Sequence, residues 1–162
     1  MDEITKGVVK MYNKYSYPTY GSHGDYFKRN VAPCIDEIQP VHKVLDAGCG
    51  TGCNTLELSK YLPKAEIVAF DITDASLEYA QELMKKYKAE NVLIQKRNFL
   101  DANEDLIDFD FVLSQGVIHH LSKPEKGVEQ VYNFLKPGGA RSYLFIRNFG
   151  VQKNENSCKR IY

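Results

Sequence analysis

Residues 44 to 52, Val44-Leu45-Asp46-Ala47-Gly48-Cys49-Gly50-Thr51-Gly52, constrain this chain more than any other stretch. A short apolar run reads as a buried strand, and three alternating glycines follow it before a helical pattern begins. A turn this tight needs positive φ angles, and it lets backbone approach a ligand with no Cβ in the way. The helix that follows can aim its free N–H groups at that ligand. About twenty positions later, Ile67-Val68-Ala69-Phe70 forms a second apolar run and ends in Asp71. A carboxylate there can accept hydrogen bonds from both hydroxyls of a ribose. Together the turn and the acid predict a nucleoside site at the carboxyl edge of a parallel sheet.

The remaining pattern alternates strand and helix. Strands are predicted over 43–47, 66–71, 91–96, 108–114 and 141–147, all short apolar runs of the kind covered on both faces. A helix over 74–88 places Leu77, Ala80, Leu83, Met84 and Tyr87 on one side, with Thr73 as its N-cap. A second helix over 123–135 has a capping-box pattern in Ser122 and Glu125, Pro124 in its first turn, and Pro137-Gly138-Gly139 as its stop. The alternation predicts an α/β fold: a doubly wound, mainly parallel Rossmann-like sheet with helices on both faces. One domain spans residues 1–162. Within it, 1–40 form an N-terminal cap or lid, 41–147 an α/β core, and 148–162 a polar tail.

The chain resembles the class I S-adenosylmethionine-dependent methyltransferases. The resemblance rests on Leu45–Gly52, Phe70-Asp71, Asn98-Phe99-Leu100-Asp101, Asp110–Leu121 and Leu135-Lys136-Pro137-Gly138-Gly139, in the family's order and approximate spacing. It covers roughly residues 40 to 147. It implies S-adenosylmethionine as cofactor and S-adenosylhomocysteine as product, with methyl transfer by in-line displacement. By the resemblance, the cofactor-binding residues are Asp46, Gly48, Cys49, Gly50, Gly52, Asp71, Ile72, Asn98, Phe99, Ser114 and Gln115. Asp46 would lie near the cofactor's ammonium group, Asp71 on the ribose, and Ile72 on the adenine ring. Asn98 stands where many relatives carry Asp, and its amide can still pair with an adenine edge. The backbone carbonyls of Ser114 and Gln115 would face the ammonium group.

No residue is singled out as an indispensable base, because the sulfonium is already a good leaving group. His119 and His120, just after the fourth strand, are the candidates. Five tyrosines, at positions 12, 15, 17, 20 and 26, crowd the N-terminal segment and suit a lid; Tyr15 and Tyr20 are the candidates for touching ligand. A dinucleotide fold would need Gly-x-Gly-x-x-Gly, and neither starting glycine satisfies that spacing. This argues against a nicotinamide oxidoreductase. The alternative to an active enzyme is a non-catalytic module that binds S-adenosylmethionine or S-adenosylhomocysteine, or a fragment of a larger methyltransferase.

Composition narrows the partners. Formal net charge is zero, 21 basic against 21 acidic residues, so there is no basic excess of the kind nucleic-acid binders carry. A small-molecule acceptor is expected ahead of a protein side chain. No apolar run is long enough to span a bilayer, and the polar N-terminus is no signal peptide, so a cytoplasmic location is expected. Cys34, Cys49, Cys53 and Cys158 match no zinc spacing and would stay reduced there; no metal is expected. After Arg147 the chain is polar with no apolar period. The family's last strands are therefore expected to be missing, as in a truncated product, which would leave the fifth strand as an exposed edge and open a route to a homodimer.

Overall fold

The computed structural model describes residues 1–15, 24–101, 103–145, 155–156 and 159–160. The chain runs α1 (Glu3–Lys14), α2 (Gly24–Asn30), α3 (Ala32–Asp36), β1 (Lys43–Ala47), α4 (Cys53–Tyr61), β2 (Glu66–Asp71), α5 (Asp74–Tyr87), β3 (Val92–Lys96), β4 (Phe109–Gln115), a 3-10 turn (Ile118–His120), α6 (Pro124–Phe134), β5 (Leu135–Phe145), β6 (Glu155–Asn156) and β7 (Lys159–Arg160). Strands β1 to β5 are parallel in the order β3-β2-β1-β4-β5. The order reverses between β1 and β4. In an open sheet, that point leaves a crevice beyond the carboxyl ends of the strands.

Side-chain alternation divides the apolar residues between the two faces. On one face Val44, Ile67, Phe111 and Leu113 pack with Phe27, Val31, Ile35 and Leu58 from α2, α3 and α4. On the other, Leu45, Ala47, Val68, Phe70 and Val112 pack with Phe99, Ile118, Val131 and Phe134. Phe109 and Phe111 lie two positions apart yet point to opposite cores, because the β4–β5 register shifts between them. Between them, Asp110 accepts hydrogen bonds from the backbone N–H groups of His42 (2.7 Å) and Lys43 (2.8 Å) and pairs with Lys136. It thereby pins the start of β1 to β4.

Several expectations are corrected in detail. Residues 24–36 form two helices, α2 and α3, with Pro33 in the first turn of α3. Pro137-Gly138-Gly139 does not separate helix from strand: β5 begins at Leu135 and carries the three residues through its register shift. The polar tail is not strandless. β6 pairs antiparallel with Leu144 and Phe145, and β7 with Ala140 and Arg141. The outer side of β5 is therefore not a bare edge, and a homodimer through that edge loses its premise. Residues 146–147 of the fifth predicted strand lie outside the described residues.

The N-terminal cap begins with a regular helix, α1. α1 packs against α5 and the 3-10 turn. Its N-cap Asp2 accepts from the Thr5 backbone N–H (2.9 Å) and from the Ser122 hydroxyl (2.9 Å). Ser122 thus serves α1 rather than α6, whose N-cap position is Lys123 with no side-chain capping bond. At the other end of α1, Asn13 Oδ1 accepts from the Ala75 N–H (3.2 Å) and caps α5 from outside. Thr73 holds the N-cap position of α5, but its hydroxyl donates to Asp71 instead. Among the described residues, no helix is long and apolar enough to cross a membrane.

Candidate functional site

A cavity of about 380 Å³ opens at the carboxyl ends of β1, β2 and β4. Its floor is the turn after β1. There Gly48, Gly50 and Gly52 have φ of 82°, 53° and 79°, all in the region that glycine adopts freely. A Cβ on Gly48 would stand 2.5 Å from Val117 Cγ2, so this position brings the turn hard against the segment after β4. Gly52 has a different task. A Cβ there would stand 2.9 Å from Ala80 Cβ, so Gly52 lets α4 approach α5, and it does not line the cavity.

Asp71 ends β2 and stitches the site together. Its Oδ2 accepts from the Gly50 N–H (2.9 Å), and its Oδ1 accepts from the Thr73 N–H (3.0 Å) and hydroxyl (2.6 Å). An ionised carboxylate has about four acceptor positions, so these three bonds leave capacity for a ligand hydroxyl. Asp46 faces the cavity while only 2% exposed, and its Oδ2 accepts from the Thr55 hydroxyl (2.6 Å). Burial, reinforced by the Asp71 charge, pushes its carboxyl up to about 7 against the Thr55 bond. Burial also pushes up the Cys49 thiol, which lines the same wall and is reduced.

Ile72, Asn98, Phe99 and Gln115 complete the part of the predicted set that the cavity gathers. The Asn98 side chain is engaged locally: it donates to Asp101 (2.9 Å) and accepts from the Leu100 N–H (3.2 Å), which shapes the loop after β3. Ser114 is fully buried and does not reach the cavity; its hydroxyl donates to the Ala47 carbonyl (3.0 Å) and ties the ends of β1 and β4. Gln115 accepts from the Tyr26 hydroxyl (2.7 Å) and donates to Ser142 Oγ (3.3 Å), which fixes its amide.

The two histidines separate. His120 lines the cavity, whereas His119 does not, and their ring centroids are 4.1 Å apart. Burial lowers both imidazoles; His119, with His120 beside it, falls to about 4. Both are neutral at neutral pH. Tyr15 is 64% exposed and points away from the cavity, because it lies just past the last turn of α1. Tyr20 lies outside the described residues. Among the described residues, the tyrosines that line the cavity are Tyr12 and Tyr26.

Sequence reasoning missed the α1 contribution. Thr5, Val8 and Tyr12 line the cavity at i, i+3 and i+7, a helical face legible in the sequence but obscured by the Pro/Gly-rich segment after it. It also missed Asn54 in the first turn of α4. The buried Asn54 Oδ1 lines the cavity with no hydrogen-bond partner among the described residues. Such an atom accepts readily from a bound donor.

The strand order and the glycine turn facing an acid at the end of β2 define a Rossmann-like domain with a nucleoside-sized site at its switch point. A family model of a methyltransferase domain matches residues 38–157, and the chain belongs to that family, in its class I form. It is 30% identical over 150 residues to an uncharacterised protein of Synechococcus sp., covering 85% of this chain and 36% of that protein. It is 25% identical over 167 residues to malonyl-[acyl-carrier protein] O-methyltransferase of Paenibacillus sp., covering 93% of this chain and 57% of that enzyme. The fold of PKMT2 from Rickettsia typhi, solved in complex with AdoHcy, superposes with a TM-score of 0.66 at 24% identity, over 80% of this chain and 26% of that one. The chain therefore spans from about a third to somewhat over half the length of these two curated relatives.

Proposed function

We propose that the chain binds S-adenosylmethionine in this cavity and transfers its methyl group to a small-molecule acceptor. The observation that carries this reading is the meeting of the glycine turn and Asp71 on one cavity wall, joined by the Gly50–Asp71 hydrogen bond. Family membership and the AdoHcy complex of a protein with this fold support it. When bound, the cofactor supplies a methyl group on a sulfonium, a centre already activated for displacement.

The chain's residues then bind and orient. Asp71 accepts from a ribose hydroxyl with the capacity left over from Gly50 and Thr73. Ile72 and Phe99 flank the base, and Asn98, with its side chain already engaged, meets the adenine edge mainly through backbone. Asp46 faces the ammonium group, and the unpartnered Asn54 oxygen is a further acceptor for it. α1 lines the cavity with Thr5, Val8 and Tyr12, and excluding water there strengthens every polar contact inside. Alignment of acceptor and methyl group can supply up to roughly 7–11 kcal/mol of the barrier.

The test is incubation with methyl-labelled S-adenosylmethionine and a panel of phenols, amines and carboxylic acids, following S-adenosylhomocysteine by chromatography. The reading expects product that depends on an acceptor from the panel. A folded sample that neither turns over nor binds the cofactor contradicts it.

A further inference from the structure

α1 carries apolar residues on two sides. Its inner side, with Thr5, Val8 and Tyr12, lines the cavity. A second apolar row faces outward: Ile4 is 57% exposed, Met11 45%, and Tyr15, just past the last turn, 64%. These residues stand at i, i+7 and i+11, which is one side of a helix. Gly7 lies in the same row, three residues after Ile4 and four before Met11, and a Cβ on it would meet nothing within 4 Å. The row therefore runs open for about 16 Å along the helix.

Beside it runs a basic row. Lys6, Lys10 and Lys14 stand at i, i+4 and i+8 and are exposed. Glu3 is the single acid of the helix; it pairs with Lys6 at 2.6 Å. Asp2, before the helix, turns to Thr5 and Ser122 instead. Lys14 Nζ lies 5.2 Å from the centroid of the Tyr15 ring, so the basic row borders the apolar one. The whole chain has no net charge, and this face is a local excess of positive charge on it.

A bare apolar row bordered by lysines suits the boundary of an anionic bilayer. Apolar side chains enter the acyl region there, while lysine stems extend and leave their ammonium groups at the headgroup phosphates. We propose that α1 docks the protein on an anionic lipid bilayer, with Ile4, Met11 and Tyr15 inserted and Lys6, Lys10 and Lys14 on the lipid phosphates. With 12 residues the helix lies on the bilayer and is too short to span it. Free phosphate would account for the lysines and leave the apolar row bare. A second copy of the chain is the poorer occupant, because one helical row offers far less than the roughly 800 Å² per partner of a stable protein interface. Since the inner side of the same helix lines the cavity, docking sets that wall about one helix diameter, ~10 Å, from the lipid.

The experiment is sedimentation of the full chain with vesicles at about 1 mM lipid, a concentration at which even weak interfacial anchors are retained. One set of vesicles holds phosphatidylcholine and phosphatidylglycerol in equal parts, and the other phosphatidylcholine alone. The wild type is compared with the double variant Lys10→Gln, Lys14→Gln and with Gly7→Leu. These positions do not line the cavity, and thermal melting followed by circular dichroism reports whether each variant is folded. The wild type is expected to sediment with the anionic vesicles and not with the neutral ones, and to be released by salt. A lysine at an anionic surface contributes about fivefold, so the double variant should bind about 30-fold more weakly. Gly7→Leu adds an apolar side chain to the open row and should bind about tenfold more tightly. A wild type that stays in solution beside anionic vesicles at low salt overturns the proposal. So do equal binding to both kinds of vesicle and partitioning unchanged in both variants. A dimer in size-exclusion chromatography that Ile4→Ser dissociates assigns the row to a second copy and overturns it as well.

Discussion

The Asp71 carboxylate accepts a hydrogen bond from the backbone N–H of Gly50 at 2.9 Å, across 21 positions of sequence. The bond joins the two features that make the site, the turn after β1 and the acid at the end of β2. It explains why the turn carries glycine at 50. Its φ of 53° lies in the left-handed region that glycine adopts freely. The acid is thus part of the turn's own structure before any ligand arrives.

Gly48 sets how closely that turn meets the segment after β4. Gly48→Ala puts a Cβ 2.5 Å from Val117 and holds alanine at φ of 82°. The expected cost is about 2 kcal/mol, near 6 °C in Tm for a domain of this size. Adding Val117→Ala removes the two Cγ contacts, leaves Cβ at 3.1 Å, and should restore roughly half. A single variant as stable as the wild type in thermal denaturation contradicts the packing argument.

Asp46 makes stability depend on pH. Burial holds its carboxyl at about 7, against 3.8 in the unfolded chain. Between those values the folded protein retains a proton that the unfolded chain has lost. This group's contribution to stability therefore falls as pH rises across that window and is level above it. Asp46→Asn removes the dependence while keeping an acceptor for Thr55. Urea denaturation at pH 5 and pH 8 should show a larger loss for the wild type than for the variant. Equal losses contradict the assignment.

Asn13 couples α1 to α5. Asn13→Ala leaves the Ala75 N–H without its cap, a loss of about 1 kcal/mol. Hydrogen exchange at Ala75 and along α1 should accelerate roughly fivefold, while the central strands keep their protection. Exchange along α1 that does not change would mean the helix is held by other contacts.

Much of this architecture was legible in the sequence, and the reasons are physical. β1 and β2 are buried on both faces, so their apolar runs end where the strands end, at Lys43–Ala47 and Glu66–Asp71. The glycine turn and Asp71 were readable because backbone geometry there tolerates few residue types. Capping was less readable. Ser122 and Thr73 have the right identity and spacing for N-caps, yet each hydroxyl serves a different partner, Asp2 and Asp71. Local spacing cannot foresee a competing acceptor brought in by tertiary packing. For the same reason Tyr15 was preferred over Tyr12: which tyrosine faces inward depends on the phase of a helix that the tyrosine-rich, Pro/Gly-broken segment obscured. The short pairings of β6 and β7 with β5 were hidden because a two-residue strand in a polar tail leaves no apolar period.

The most direct test of the account is a calorimetric titration of the wild type and Asp71→Ala with S-adenosylhomocysteine, with circular dichroism to confirm that both are folded. The account predicts one site of micromolar affinity in the wild type. It predicts a loss of about tenfold or more in the variant, where a charge-assisted hydrogen bond to ribose is removed. No binding by the folded wild type, or equal affinity in the two proteins, would contradict the claim that the glycine turn and Asp71 form a nucleoside site.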